Sequence, residues 1–458
     1  MLMNDLASHA PDAFADRHAA RRAALACMVT LAVALGIGRF AFTPLLPLML
    51  HGAAFGQPQL DIQHGGWLAS FNYAGYFVGA VGCAALRVSP ARMVRAGLVA
   101  TVLLTLAMGI TSQFWVWAAV RFVAGAASAW TFVFASQWGL RRLTELGAHG
   151  WGGVIYTGPG LGIVGTGLLV SVAGGFGATV GWIGFGLIAL VLSIVVWPVF
   201  GASPAARPGR PEARASGGNA AAPAGQRATN QPQATDSVRT NNQPAAAGSA
   251  TNHAHTKNPG SHRVDAYWLV LLYGIPGFGY IITATFLPVI ARHALPGSAW
   301  PDLFWPMFGA ALVVGALLAA RLPGHWDNRT LLAGCYVLQA CGIAAGIIWP
   351  TAGGFSIGSM LIGLPFTAIT LFAMREARRL RGDDAAGLMG YATAAYGVGQ
   401  IVGPLVAAPI AEHTGSFSLA LWLAAAALLL GAAGLVAVAK APRGRSQGRG
   451  RMPDCGCN

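Results

Sequence analysis

Long apolar runs and short polar breaks alternate along this chain. Residues 1–20 are polar, and six apolar runs follow at 23–50, 66–86, 95–112, 115–138, 153–174 and 177–200. Each is close to the roughly 20 residues that a membrane-spanning helix requires. The pattern then changes over 201–264, where Ala, Pro, Gly, Asn, Gln and Thr with scattered Arg replace bulky apolar residues. Such a stretch cannot bury a core and reads as a flexible linker. Six more runs occupy 266–291, 303–321, 330–349, 353–374, 386–411 and 416–439. The pattern predicts an all-α membrane protein with twelve transmembrane helices in two six-helix bundles. Its expected parts are a disordered N-terminal tail (1–22), an N-terminal bundle (23–200), a disordered linker (201–264), a C-terminal bundle (265–440) and a C-terminal tail (441–458).

Composition agrees: 55% of residues are hydrophobic and 10% charged, against about 25% charged in a soluble domain. The net charge of +14 invites a nucleic-acid partner, but the placement of the charges excludes one. Of 29 basic residues, all but Arg39, Arg121 and Arg292 fall in the tails, the linker or alternate loops. They form no groove-sized patch. The bias instead sets orientation, with both termini and the linker cytoplasmic and the protein in the cell inner (plasma) membrane. The first run is too long for a signal-peptide core, so Arg21-Arg22 reads as a helix anchor rather than a twin-arginine signal. Cys27, Cys83, Cys335 and Cys341 lie in apolar runs as small packing residues. Cys455 and Cys457 alone cannot complete a four-ligand zinc site. No phosphate-cradling loop, metal cluster or nucleophile–base pair is present. The expectation is therefore no enzyme, no metal and no cofactor. The expected partners are a small-molecule substrate and the lipid bilayer, with the chain acting as a monomer.

Two internal correspondences link the halves. Gly36-x-Gly38 followed by Leu46-Pro47 recurs as Gly277-x-Gly279 followed by Leu287-Pro288, offset by 241. Arg141-Arg142-Leu143, Gly153, Gly160 and Gly162 recur as Arg378-Arg379-Leu380, Gly390, Gly397 and Gly399, offset by 237. Same-orientation repeats of six helices imply bundles related by an axis along the membrane normal, with a site between them near mid-membrane.

The candidate site begins with Arg39, a charge inside the first apolar run. A central arginine costs about 2.5–3.5 kcal/mol on insertion scales. Gly36 and Thr43 share its helical face and leave room beside the guanidinium. Pro44 and Pro47 interrupt the backbone ladder. The alternative for Arg39 is structural, holding two helices together through backbone carbonyls. The run Gly36-Ile37-Gly38-Arg39-Phe40-Ala41-Phe42-Thr43-Pro44-Leu45-Leu46-Pro47 resembles the first-helix signature of the YbfB/YjiJ branch of the major facilitator superfamily. Arg121-Phe122-Val123-Ala124-Gly125 resembles the superfamily's fourth-helix motif, and Tyr156-Thr157-Gly158-Pro159-Gly160-Leu161-Gly162 its fifth-helix glycine–proline motif. The resemblance implies alternating access between rocking bundles, with the first, fourth, seventh and tenth helices lining the cavity. One departure stands out. The loop between helices two and three, Arg87-Val88-Ser89-Pro90-Ala91-Arg92, carries no acid, whereas its counterpart keeps Asp327 and Arg329.

On that arrangement Arg39 and Arg121 lie at one depth and form a candidate anion clamp. For Arg121 the alternative is structural, bonding carbonyls of a neighbouring helix. No Asp or Glu falls in the middle of a run, so a substrate anion is a candidate counter-ion. A coupling proton remains an option through the substrate or a helix-end acid. Thr43, Trp130, Tyr156, Tyr280, Tyr396 and Gln400 complete the candidate lining, Tyr280 being the repeat-mate of Arg39. Asn72, Gln137 and Gln339 are further polar candidates. Pro44, Pro47, Gly158, Pro159 and Gly160 are expected to bend helices. The expected function is secondary active transport of a small organic anion. Alternatives are an exporter of non-anionic drugs or metabolites and a transporter-like membrane sensor.

Overall fold

A computed structural model describes residues 2–50, 60–83, 88–201, 259–323, 325–382 and 385–440. Met1–Gly201 and Pro259–Asn458 cluster into one compact unit. The described residues are helical, without strands. The first span is α1 (Leu2–Leu31), a π-helical segment (Ala32–Ile37), a turn and α2 (Phe42–Leu50). Then come α3 (Ile62–Gly82), α4 (Pro90–Ile110) and α5 (Phe114–Glu145). The fifth span is α6 (Gly152–Ile155) and α7 (Gly158–Ala173), and the sixth is α8 (Gly177–Val196). The second half opens with α9 (Pro259–Ala294), α10 (Pro301–Arg321) and α11 (Asn328–Ile348). Its tenth span divides into α12 (Ala352–Gly363) and α13 (Phe366–Arg381); α14 (Ala385–Thr414) and α15 (Ser418–Lys440) end it.

Eleven of these stretches are long and apolar enough to cross a membrane. The twelfth, α3, matches them in length but carries Gln63, His64 and Asn72. It packs between α5 and α14, where Asn72 is fully buried, while Gln63 and His64 lie in its first turn and remain partly exposed. Helix α1 runs without interruption from Leu2, through residues expected to form a disordered tail. Most of the expected linker 201–264, and all of the tail 441–458, lie outside the described residues.

Burial separates central from peripheral helices. The most apolar windows of the first and seventh spans are 78% and 72% buried, those of the sixth and twelfth 33% and 39%. Exposed Ile110, Val172 and Leu430 mark the outer surface, where lipid tails as apolar as these side chains are the neighbours.

Small residues set the closest crossings. A Cβ on Gly162 would lie 2.6 Å from the Cα of Gly36. In the second half, a Cβ on Gly399 would lie 2.6 Å from the nitrogen of Phe278 and 3.0 Å from the carbonyl carbon of Gly277. These are repeat-related pairs, so both sequence offsets describe one crossing used twice.

Prolines free carbonyls that side chains then occupy. Pro276 has no N–H for Leu272, whose carbonyl accepts from the Tyr336 hydroxyl at 3.0 Å. Pro288 withholds its donor from Ala284, whose carbonyl accepts from Thr43 Oγ1 at 2.8 Å.

One ion cluster ties four helices at the end of the second half nearest the C-terminus. Arg329 donates to Glu376 and Asp265, each at 2.7 Å, and to the Val438 carbonyl at 3.2 Å. Arg379 donates twice to Glu376, at 2.7 and 2.8 Å. Glu376 is fully buried, a buried acid that the apolar pattern does not announce. Asp327 caps α11 by accepting from the Thr330 nitrogen at 3.0 Å. Burial alone would raise its carboxyl, but the Thr330 hydrogen bonds and the charges of Arg379 and Arg329 hold it below the ordinary carboxylate range. In the first half Arg95 instead donates to the Trp197 carbonyl at 3.1 Å and lies over the Trp197 ring.

Candidate functional site

The first span loses its α-helical ladder at the centre of the molecule. Pro44 offers no donor, and glycines 36 and 38 carry no Cβ to resist distortion. Gly38 and Phe40 donate five residues back, to Val33 and Leu35, each at 2.9 Å. This is a π-type bulge of the kind found at functional sites. It presents Arg39 from a turn rather than from a regular helix.

Arg39 is 5% exposed. Its Nη2 donates to Gln400 Oε1 on α14 at 2.9 Å. Its guanidinium carbon lies 4.0 Å from the ring centre of Tyr76, 5.1 Å from Tyr73 and 5.3 Å from Phe40. Cation–π contact of this kind contributes about 2 kcal/mol when desolvated. Arg39 Nε has no hydrogen-bond partner among the described residues. Beyond Gln400 the chain of contacts continues, since Gln400 Nε2 donates to the Tyr280 hydroxyl. Tyr280 is fully buried, stacked on Tyr396 and edge-on to Phe366. Tyr396 stacks in turn on Tyr273. The repeat-mates Arg39 and Tyr280 thus meet through one amide side chain.

Arg121 sits beside this centre in a different role. It is 2% exposed and donates to the carbonyls of Gly38 and Arg39 at 3.4 and 3.3 Å. Its guanidinium carbon lies 4.6 Å from the Phe42 ring centre. The distorted segment leaves those carbonyls in need of donors, and Arg121 supplies them. These bonds follow the structural alternative held open for Arg121. Asn72 in turn donates to the Arg121 carbonyl at 2.9 Å.

On the side away from the chain termini, hydrogen bonds cross between the halves. Besides Thr43 to Ala284, the Tyr73 hydroxyl pairs with Thr285 Oγ1 at 2.9 Å, and Ser70 donates to the Ile401 carbonyl at 2.9 Å. Toward the termini the sequence-predicted residues are less enclosed: Trp130, Tyr156 and Tyr396 are each only partly buried. Tyr156 lies against Phe132; no described contact joins it or Trp130 to Arg39. Gly158, Pro159 and Gly160 begin α7 after the turn that separates it from α6, so the fifth span bends there. Two described cavities lie elsewhere. One, of about 540 Å³, borders Leu50, His293, Pro350 and Phe417; the other, about 20 Å³, adjoins Thr283 and Gly342.

Arg39, Tyr280, Tyr396 and Gln400 are therefore brought together, and Thr43 bridges the bundles nearby. Sequence reasoning missed Tyr73, Tyr76 and Phe366. The tyrosines occupy i and i+3 of α3, the spacing of one helical face, and that spacing was the available signal. Among the described residues, no group of three His, Cys, Asp or Glu could hold a metal.

The comparisons accord with this geometry. Over 193 residues the chain is 27% identical to chloramphenicol efflux pumps of Mycobacterium tuberculosis, from strains CDC 1551 / Oshkosh and ATCC 25618 / H37Rv. The match takes in 39% of this chain and 43% of each relative, so the chain spans less than half the length of the curated relatives it matches. The crystal structure of a variant of the nucleoside transporter NupG superposes with a TM-score of 0.61 at 12% identity. That superposition covers 91% of this chain and 99% of the other, and establishes the major facilitator fold. Residues 31–228 and 238–436 match the family described as "Uncharacterised MFS-type transporter YbfB". The chain belongs to that family and is a multi-pass membrane protein of the major facilitator superfamily.

Proposed function

We propose that the chain is a secondary active transporter that moves a small organic anion across the cell inner membrane by alternating access, with Arg39 as the anion's ligand. The supporting observation is a guanidinium buried at the junction of the two halves, with an unpartnered Nε and neutral side chains, Gln400 and Tyr76, as its hydrogen-bond partners. A carboxylate would accept from the guanidinium as a planar fork. Thr43, Tyr280, Tyr396 and Gln400 would line the same space, with Trp130 and Tyr156 on the path toward the termini. Arg121 assists from behind by fixing the backbone that presents Arg39. Motion of one half against the other would open the buried centre to each side in turn. With no carboxylate contacting Arg39 among the described contacts, a coupling proton would travel on the substrate. The working unit is the monomer, with both termini cytoplasmic.

Transport in proteoliposomes tests this reading. Arg39→Lys keeps the charge but loses the fork, so it should express normally and transport at least tenfold more slowly, the equivalent of about 1.4 kcal/mol. Arg39→Ala should abolish anion binding while the purified protein still melts cooperatively. Undiminished anion transport by Arg39→Ala would remove the clamp. A second reading, export of neutral drugs through the aromatic shell of Tyr273, Tyr280, Tyr396 and Phe366, is favoured by the efflux-pump relatives. Faster flux of neutral aromatic compounds than of their acids would select it.

A further inference from the structure

We infer that Gln400 is an internal competitor for the anion site, occupying in the substrate-free protein the place on Arg39 that a substrate carboxylate takes, so that binding severs a bond between the two halves. This rests on the anion reading of Arg39 and adds to it how an occupied site differs from an empty one.

Arg39 belongs to the first half and Gln400 to the second, and both are buried, at 5% and 3% exposure. Their 2.9 Å bond places a neutral amide oxygen on one terminal nitrogen of the guanidinium. Nε on one edge of the fork has no partner among the described residues. The edge of the fork that binds Gln400 therefore keeps a free donor. A carboxylate accepts at two positions, and its charge makes each bond roughly twice as strong as a neutral one. It would outcompete the amide for the same nitrogen. The released amide still has a partner, because its Nε2 already donates to the Tyr280 hydroxyl. Gln400 can thus retract along α14 toward Tyr280 without stranding both of its polar ends.

The position of this bond gives its loss a consequence. The other described bonds between the halves near this level, from Thr43, Tyr73 and Ser70, use neutral hydroxyl donors. The Arg39–Gln400 bond is the one among them with a charged donor, the kind a carboxylate pairs with as a planar fork. Substrate charge is thereby converted into a weaker interface, which lets one half move against the other.

Thermal-shift titrations of the full-length protein and three variants test the inference. The probes are acetate, lactate, benzoate and citrate, each beside its neutral amide. Gln400→Met removes the acceptor at nearly constant shape and should tighten the best-binding carboxylate roughly tenfold. Gln400→Glu installs a resident carboxylate against Arg39. It should raise the melting temperature without ligand and abolish the response to every acid. Arg39→Lys reports on the anion reading itself. If wild type binds a carboxylate, Arg39→Lys loses it, and Gln400→Met binds no more tightly than wild type, the competitor idea is overturned and the anion site stands. Acid binding by Gln400→Glu at the wild-type level overturns it equally. If no acid stabilises wild type or Gln400→Met above its amide, the anion reading falls and this inference falls with it. Should Gln400→Met fail to fold, Gln400→Leu takes its place with the same expectation.

Discussion

Arg39 and Arg121 lie within one short stretch of structure and do opposite things. Arg39 points its donors at a side chain of the other half, whereas Arg121 spends its donors on the backbone that carries Arg39. Their replacement should separate cleanly. Arg121→Ala strips two buried carbonyls of their donor at about 1–3 kcal/mol each, so it should lower the melting temperature in detergent by several degrees and reduce yield. Arg39→Lys should leave melting near wild type. An Arg121→Ala protein that melts like wild type but no longer binds anions would return Arg121 to the clamp. Much of this centre was legible because a charged or strongly polar side chain in an apolar run is conspicuous, as Arg39, Arg121 and Gln400 are. Their pairing was not legible, since Gln400 is 361 residues from Arg39 and no local spacing links them. Tyr76 escaped notice because a tyrosine among apolar residues resembles packing. Glu376 escaped because it sits among arginines at the end of a run, where acids are usually solvated.

At the scale of elements, the apolar runs located the helices, while prolines and glycines decided their irregularities. Pro365 divides the tenth run into α12 and α13, because proline cannot donate and restrains the residue before it. Propensity alone does not say whether a proline breaks a helix or is absorbed. In α9, Pro276 and Pro288 are absorbed without a break, whereas the corresponding part of the first span becomes a π segment and a turn. The glycine crossings are stricter. Gly162→Val would push γ-carbons into the Gly36 backbone and the Ala32 carbonyl, the latter already 2.6 Å from a Cβ at this position. Overpacking of this kind costs about 1–3 kcal/mol. The variant should therefore show a lower melting temperature and weaker transport together. A Gly162→Val protein with wild-type melting would mean that the first and fifth spans do not approach as described.

Across the whole molecule the halves share a plan but not a chemistry. The second is bolted at one end by Arg329, Glu376, Asp265 and Arg379. The first has Arg95 on a carbonyl and a ring in the related region. From the charge placement along the loops we propose that this end faces the cytoplasm. Alkaline phosphatase, active only in the periplasm, should therefore be silent when inserted between Asn230 and Gln231 or fused after Lys440. Activity at either position would invert the topology. The twelve-helix plan and its duplication were readable from run lengths and offsets. The inequality of the halves was foreshadowed only by the acid-free loop at 87–92, because the ion cluster draws its charged members from three separate helices.

The bond from Thr43 to Ala284 joins positions separated by 241, the offset of the repeat itself. A residue that touches its own repeat-mate lies on the rotation axis relating the halves, as in the isologous interface of a two-fold dimer. Were the two copies separate identical chains, any substitution there would appear on both sides at once, so a donor and a compact alanine could not face each other. Covalent fusion removes that restriction. With each copy free to vary, one threonine suffices as donor, and the opposite position keeps only the methyl and the proline-freed carbonyl that receives it.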